Sequence, residues 1–202
     1  MIPLVFSGRK IIWVGLLVGI MLLFAGCAEY EDGSGANSDI IIYSDQSIDA
    51  TMNRTFDQSY YSEDELVSMV NDELAQYNNE HGAESITLKS HNLSGSDVSL
   101  TLHFHTWEDY NRFMLDRIYV GNVQGAYDER YDFNQALSYA SDKEHTIGKN
   151  DLMNMADQNI LVFHGNHNIE VPNKIRYYTQ TLKLTGAKTA ESMDAGLYFI
   201  IY

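Results

Sequence analysis

Four histidines are the first residues whose spacing could do chemistry. His103-x-His105 places two imidazoles on one face of an extended strand, and His164-x-x-His167 sits at a strand end and turn. Imidazole suits zinc and copper, so the four together would make a metal site or the edge of a hydrolase centre. No HExxH accompanies them. Strand parity sets His103 and His105 opposite Leu102 and Phe104, on the solvent side, and the expectation is that they form no tight metal site. Nucleophilic catalysis has no local support. The chain contains no G-x-S-x-G, and no Walker loop or GxGxxG for phosphates. Acidic groups cluster as Glu63-Asp64-Glu65, Glu108-Asp109 and Asp128-Glu129. The first two clusters stand where helices begin, and there carboxylates favour the helix dipole. Trp107, Tyr127, Tyr131 and Tyr139 could stack on a sugar or peptide, or bury their rings and leave their polar tips wet. No catalytic residue, cofactor or metal ligand is assigned from these patterns, and a non-enzymatic protein is expected.

Cys27 is the only cysteine in the chain, so no intrachain disulfide, Cys-based zinc site or CxxC pair exists. Its surroundings carry more information. Arg9 and Lys10 form a positive start, Ile11 to Phe24 is an unbroken run of apolar residues and glycine, and Ala25-Gly26 precede the cysteine. A spanning helix needs about 20 apolar residues, and this run is shorter. A charged start, a short apolar core and small residues at its end form an export signal.

The segment Phe24-Ala25-Gly26-Cys27 resembles the lipobox of a bacterial lipoprotein signal, with Phe24 where that pattern usually carries Leu. The resemblance implies that residues 1–26 are removed and that Cys27 becomes the first mature residue. It further implies a diacylglyceryl lipid on Cys27, palmitate-type chains included, that holds the protein to the extracytoplasmic side of the cell membrane. An uncleaved membrane anchor and a cytosolic protein with a buried thiol are the alternatives. Residues 27–38 then form an acidic Gly/Ser tether, and residues 39–202 a single extracytoplasmic domain.

Charge fits that placement. The 202 residues carry 13 Lys and Arg against 28 Asp and Glu, a net of −15. Removing Arg9 and Lys10 with the signal leaves 11 basic side chains against the same 28 acidic ones, a net of −17. Such a surface repels nucleic acid and anionic lipid headgroups. Simple solvation of an exported domain accounts for the acidity; recruitment of a cation or a basic partner is the alternative. Apolar residues at 45% and aromatic residues at 12% are too many for a disordered chain.

The elements that must position these residues read as a mixed domain. Ile40 to Tyr43 and Ile48 to Phe56 are candidate strands. Ser62 with Glu65 forms a capping box, and Leu66, Met69, Val70, Leu74 and Tyr77 recur on one face of a helix over about 63–81, stopped by Gly82. Ile86 and Leu88, then a turn at Ser94 to Asp97, then Val98, Leu100, Leu102 and Phe104 alternate as a hairpin. Thr106 with Asp109 caps a second, short helix, Arg117 to Val120 reads as a strand, and Asn150 is a candidate cap for a short helix through Met155. Ile160 to Phe163 and Leu197 to Tyr202 are continuous apolar strands, the first expected to be buried on both faces. The expected class is α+β, a mainly antiparallel sheet with one long amphipathic helix packed on one face; a cystatin-like roll is one arrangement that fits.

Beyond its signal, the mature chain resembles an uncharacterised bacterial lipoprotein family of Gram-positive gut anaerobes. The stretches SYYSEDELVSMVNDELAQYN, TWEDYNRF, YVGNVQGAYD, NILVFHGNHNIEVPNKIRYY and GLYFIIY carry the likeness, over residues 55–202. No activity is established for that family, so the resemblance implies a single anchored domain and transfers no catalytic residue. The functional expectation is a lipid-anchored cell-surface accessory or ligand-binding module. The alternative is an extracytoplasmic metal-binding protein or hydrolase that uses the His-rich strand edge.

Overall fold

A computed structural model of the chain describes residues 38–55 and 62–202. Cys27, the signal segment 1–26 and the tether up to its final residue, Ser38, lie outside the described residues. Among the described residues no helix is long and apolar enough to cross a membrane.

The described chain is mixed α/β, with two sheets and four helices. The expected single sheet is therefore corrected to two. Sheet A has seven strands, in the order β11 (Lys183–Leu184), β12 (Thr189–Glu191), β9 (His167–Glu170), β1 (Ser38–Ile42), β2 (Ile48–Thr55), β4 (Asp97–Phe104), β3 (Ile86–Ser94). Sheet B has six, in the order β5 (Ile118–Asn122), β8 (Asn159–His164), β13 (Leu197–Ile201), β10 (Tyr177–Thr179), β6 (Leu137–Tyr139), β7 (Asp142–Ile147). β1 and β9 pair in parallel; the other ladders are antiparallel.

The two sheets differ in how water meets them. In sheet A, Val98, Leu100, Leu102 and Phe104 of β4 are buried while Ser99, Thr101 and His103 between them stay half-buried, so one face is core and the other is wet. The central strands of sheet B are covered on both faces, which is why β8 and β13 read as unbroken apolar runs. Ile160, Val162, Phe199 and Ile201 join a core with Tyr119, Val123, Ala126, Phe133 and Leu152. By strand parity Leu161, Phe163, Tyr198 and Ile200 point the other way, and they are equally buried.

Helix α1, Glu63–His81, has the bounds its pattern predicts, and Ser62 caps it by accepting the Glu65 N–H. Val70 and Leu74 are buried; Leu66, Met69 and Tyr77 are half-buried. Helix α2, Trp107–Met114, begins with a reciprocal cap in which Thr106 accepts from Asp109 N and donates to the Asp109 carboxylate. α1, α2 and β4 meet where Phe113 packs against Tyr77 (5.5 Å between ring centroids) and Phe104 (6.1 Å), and Phe104 meets Tyr110 edge-on. Helices α3, Val123–Asp128, and α4, Lys149–Met153, supply side chains to the core on one face of sheet B. α4 is capped by Gly148 rather than Asn150, which lies one residue inside it.

Candidate functional site

The strongest constellation of polar groups lies on the wet face of sheet A, beside the turn joining β1 to β2. Its centre is Asp49. By strand parity Asp49 faces the same side as the half-exposed His103, yet only 3% of it is accessible, because its neighbours close over it. Its Oδ1 lies 2.7 Å from His103 Nδ1. Its Oδ2 accepts the Tyr43 hydroxyl at 2.6 Å and the Lys89 ammonium. Lys89 also donates to the Tyr43 oxygen at 2.9 Å and sits 5.1 Å from the centroid of that ring.

Three elements of local structure build this arrangement. Asp49 and His103 are direct cross-strand partners on β2 and β4, so their side chains rise from the same face. Lys89 is the extra residue of a β-bulge in β3, between Leu88, opposite Leu102, and Ser90, opposite Thr101. A bulge re-aims a side chain, and here the ammonium reaches over β4 to a carboxylate on β2. Tyr43 follows β1 in a turn closed by Tyr43 N–H to Ser47 O and Gln46 N–H to Tyr43 O. Asp45 fastens that turn by accepting from Ser47 N and Oγ, hydrogen bonds that hold its carboxyl below the usual range.

The electrostatics fix which groups are charged. Burial works against a charge on Asp49, but the hydrogen bonds from Lys89, Tyr43 and His103 outweigh it and hold the carboxyl below the usual range. The hydrogen bonds to Asp49 and then Tyr43 push the Lys89 ammonium up to about 12. An ionised carboxylate only accepts, so His103 donates through Nδ1–H and its neutral form carries the lone pair on Nε2, away from Asp49. The cluster is thus a fixed cation, a saturated anion and an imidazole with its tautomer set.

The other predicted residues are distributed elsewhere. His105 lies just past the end of β4 as an exposed residue, its N–H held by Ser85 O. His164 closes β8, which is flanked by β5 and β13 in sheet B, so it does not lie beside the 98–105 strand. His167 opens β9, with β1 and β2 between it and β4. It is buried, with Nε2 3.4 Å from Asp116 Oδ2, and among the described residues its Nδ1 has no hydrogen-bond partner. Asp116 also accepts the Tyr110 hydroxyl at 2.8 Å; burial raises its carboxyl, but His167 and its other hydrogen bonds outweigh this and lower it. Among the described residues no three His, Cys, Asp or Glu side chains gather as a metal-ligand group.

The four aromatics do not form one platform. Trp107 and Tyr131 each pack on Tyr119, at 5.2 and 5.8 Å, Tyr127 stacks on Phe133, and Tyr139 meets Tyr177 edge-on. Tyr127 alone of the four is largely exposed, at 44%.

Asp49, Lys89 and Tyr43 were invisible as site residues in the sequence because they stand far from His103 along the chain. The signal that could have found them is register: extending the β2–β4 hydrophobic alternation pairs Asp49 with His103.

No family model, curated protein or solved structure matches this chain.

Proposed function

We propose that this chain is a lipid-anchored extracytoplasmic protein, held to the cell membrane through a diacylglyceryl group on Cys27, and that it works as a non-enzymatic binding module. We infer further that the domain is of the α+β class, with α1 as its long amphipathic helix over one face of sheet A. The positive start at Arg9 and Lys10, the short apolar core and the Ala25-Gly26-Cys27 ending support export and anchoring. The family resemblance supports the same placement.

The observation that carries the binding reading is the saturated Asp49 cluster on the open face of sheet A. A catalytic lysine needs a depressed pKa to act as base or nucleophile. Lys89 is pushed the other way, to about 12, and stays a cation. Asp49 spends both oxygens on its neighbours. What remains is a rigid set of donors and acceptors, organised before any ligand arrives.

One observation favours the hydrolase alternative: Asp49 orients His103 as a carboxylate orients a general base. Melting of the full-length protein in non-ionic detergent, against neutral saccharides, amino acids and short peptides, separates the two. A ligand that raises the melting temperature of the native protein but not of Asp49→Ala supports the binding module, since a ligand of the folded state stabilises it by mass action. A panel without such a ligand, together with turnover of a chromogenic ester that His103→Ala abolishes, replaces it with the hydrolase.

A further inference from the structure

We propose that Lys89 and His103 together bind a small oxyanion of the phosphate, sulfate or carboxylate class on the wet face of sheet A, and that His103 takes up a proton as the anion arrives. This rests on the binding-face reading and specifies its ligand.

The first argument counts hydrogens. An ammonium has three donors. Lys89 gives one to Asp49 and one to Tyr43, which leaves one for solvent, and its side chain is 49% accessible. His103 commits only Nδ1 among the described residues, and its side chain is 32% accessible, so Nε2 is the unspent nitrogen. The third ammonium hydrogen and, once His103 is protonated, its Nε2–H belong to side chains anchored on the two oxygens of one carboxylate, so less rotamer freedom is left to lose when an anion binds. Thr87 is the cross-strand partner of His103 on β3 and adds a neutral hydroxyl to the same face.

The second argument counts charge. With His103 neutral, Lys89 faces the carboxylates of Asp49 and Asp45, and an arriving oxyanion adds to an excess of negative charge. Once His103 is an imidazolium, two cations balance the two carboxylates, and the oxyanion meets a cation on each side. Asp49 does not compete with it for solvent-side donors, because it lies beneath the surface with both oxygens engaged. The charged and titratable groups around the imidazole are Asp49 from β2, Tyr43 and Asp45 from the turn, Lys89 from β3 and His105 just beyond the end of β4. A bound oxyanion sits against both cations and offsets the repulsion between Lys89 and an imidazolium. Anion binding and proton uptake therefore reinforce one another.

Calorimetric titration of the full-length protein in non-ionic detergent tests this, with sulfate as a tetrahedral dianion and acetate as a planar monoanion, both of constant charge across the range used. Titrations at about pH 6 and about pH 8, each in two buffers of different ionisation enthalpy, read affinity and proton uptake. Binding of either anion about tenfold tighter at the lower pH, with net proton uptake, is expected, of the order one charge-assisted hydrogen bond confers. Tighter sulfate than acetate assigns the phosphate-like class, and the reverse assigns the carboxylate class. Lys89→Met should weaken binding about tenfold at both pH values while Lys89→Arg retains it, and His103→Gln should remove the pH dependence. No binding of either anion at millimolar concentration, or affinities that Lys89→Met and His103→Gln leave unchanged in variants of native melting temperature, overturns the proposal. Neutral ligands that Asp49→Ala releases would still uphold the binding-face reading in that case.

Discussion

Asn78 on helix α1 grips both backbone groups of Ile86, the first residue of the edge strand β3. Its Nδ2 donates to Ile86 O at 2.8 Å and its Oδ1 accepts the Ile86 N–H at 2.9 Å. Asn111 on α2 does the same to Ile118 at the start of β5, an edge of sheet B, at 2.7 and 2.8 Å. An asparagine side chain carries the donor and acceptor of a peptide group, so each helix supplies one residue's worth of missing strand. Open edges invite pairing with other chains, and here the start of each edge strand is closed from within.

Asn78→Ala should therefore destabilise the fold by about 1–3 kcal/mol, because it leaves a buried N–H and carbonyl unpaired. Asn111→Ala should do the same. Denaturant unfolding checks both, and a cost below about 0.5 kcal/mol, the range of an ordinary surface change, would show that water replaces the side chain freely.

Leu74→Ala removes a fully buried side chain of α1 and should cost about 2–5 kcal/mol. The same unfolding measurement checks it. A loss near zero would mean that the helix lies on the surface without a shared core.

Asp49 links the cluster to acid stability. Its carboxyl is held low in the folded protein, so its contribution is present above the unfolded carboxylate pKa, near about 3.9, and is lost as pH falls through the folded value. Asp49→Asn should lower stability at neutral pH by about 1–2 kcal/mol, since it loses charge-assisted hydrogen bonds. The deficit should shrink as the pH is lowered below about 4. Unfolding of both proteins across that range measures it; a deficit constant with pH would mean that Asp49 is not ionised in the native state.

Cys27→Ser should abolish incorporation of a fatty-acid label and leave the signal segment uncleaved. Metabolic labelling and mass measurement in the source cell check both, and a variant that still labels and matures normally removes the anchor from the account.

The elements legible in the sequence were those whose signals are local. Ser62 and Glu65 with the spacing of Val70 and Leu74 fix α1, and the alternation from Val98 to Phe104 fixes β4. The unbroken apolar runs of β8 and β13 announce burial on both faces. Residues 121–158 gave little, because their elements are short and made by distant partners. β6 is Leu137–Tyr139, held by β10 some forty residues later through pairs such as Leu137 with Thr179. The exposed, charged β7 has no alternation to read. The site was less legible still. His103 stood out by type, but its role depends on Asp49 across a ladder and on Lys89 displaced by a bulge, and a bulge is a property of two strands at once.

The nitrogen resonances of the His103 imidazole test the central claim most directly, because everything argued for the cluster depends on Asp49 setting that ring. In the native protein with His103 neutral, the account predicts the Nδ1–H tautomer, with a slowly exchanging proton bonded to Asp49 and Nε2 unprotonated, and Asp49→Asn should lose that signature. An Nε2–H tautomer, or the same spectrum in Asp49→Asn, would contradict it.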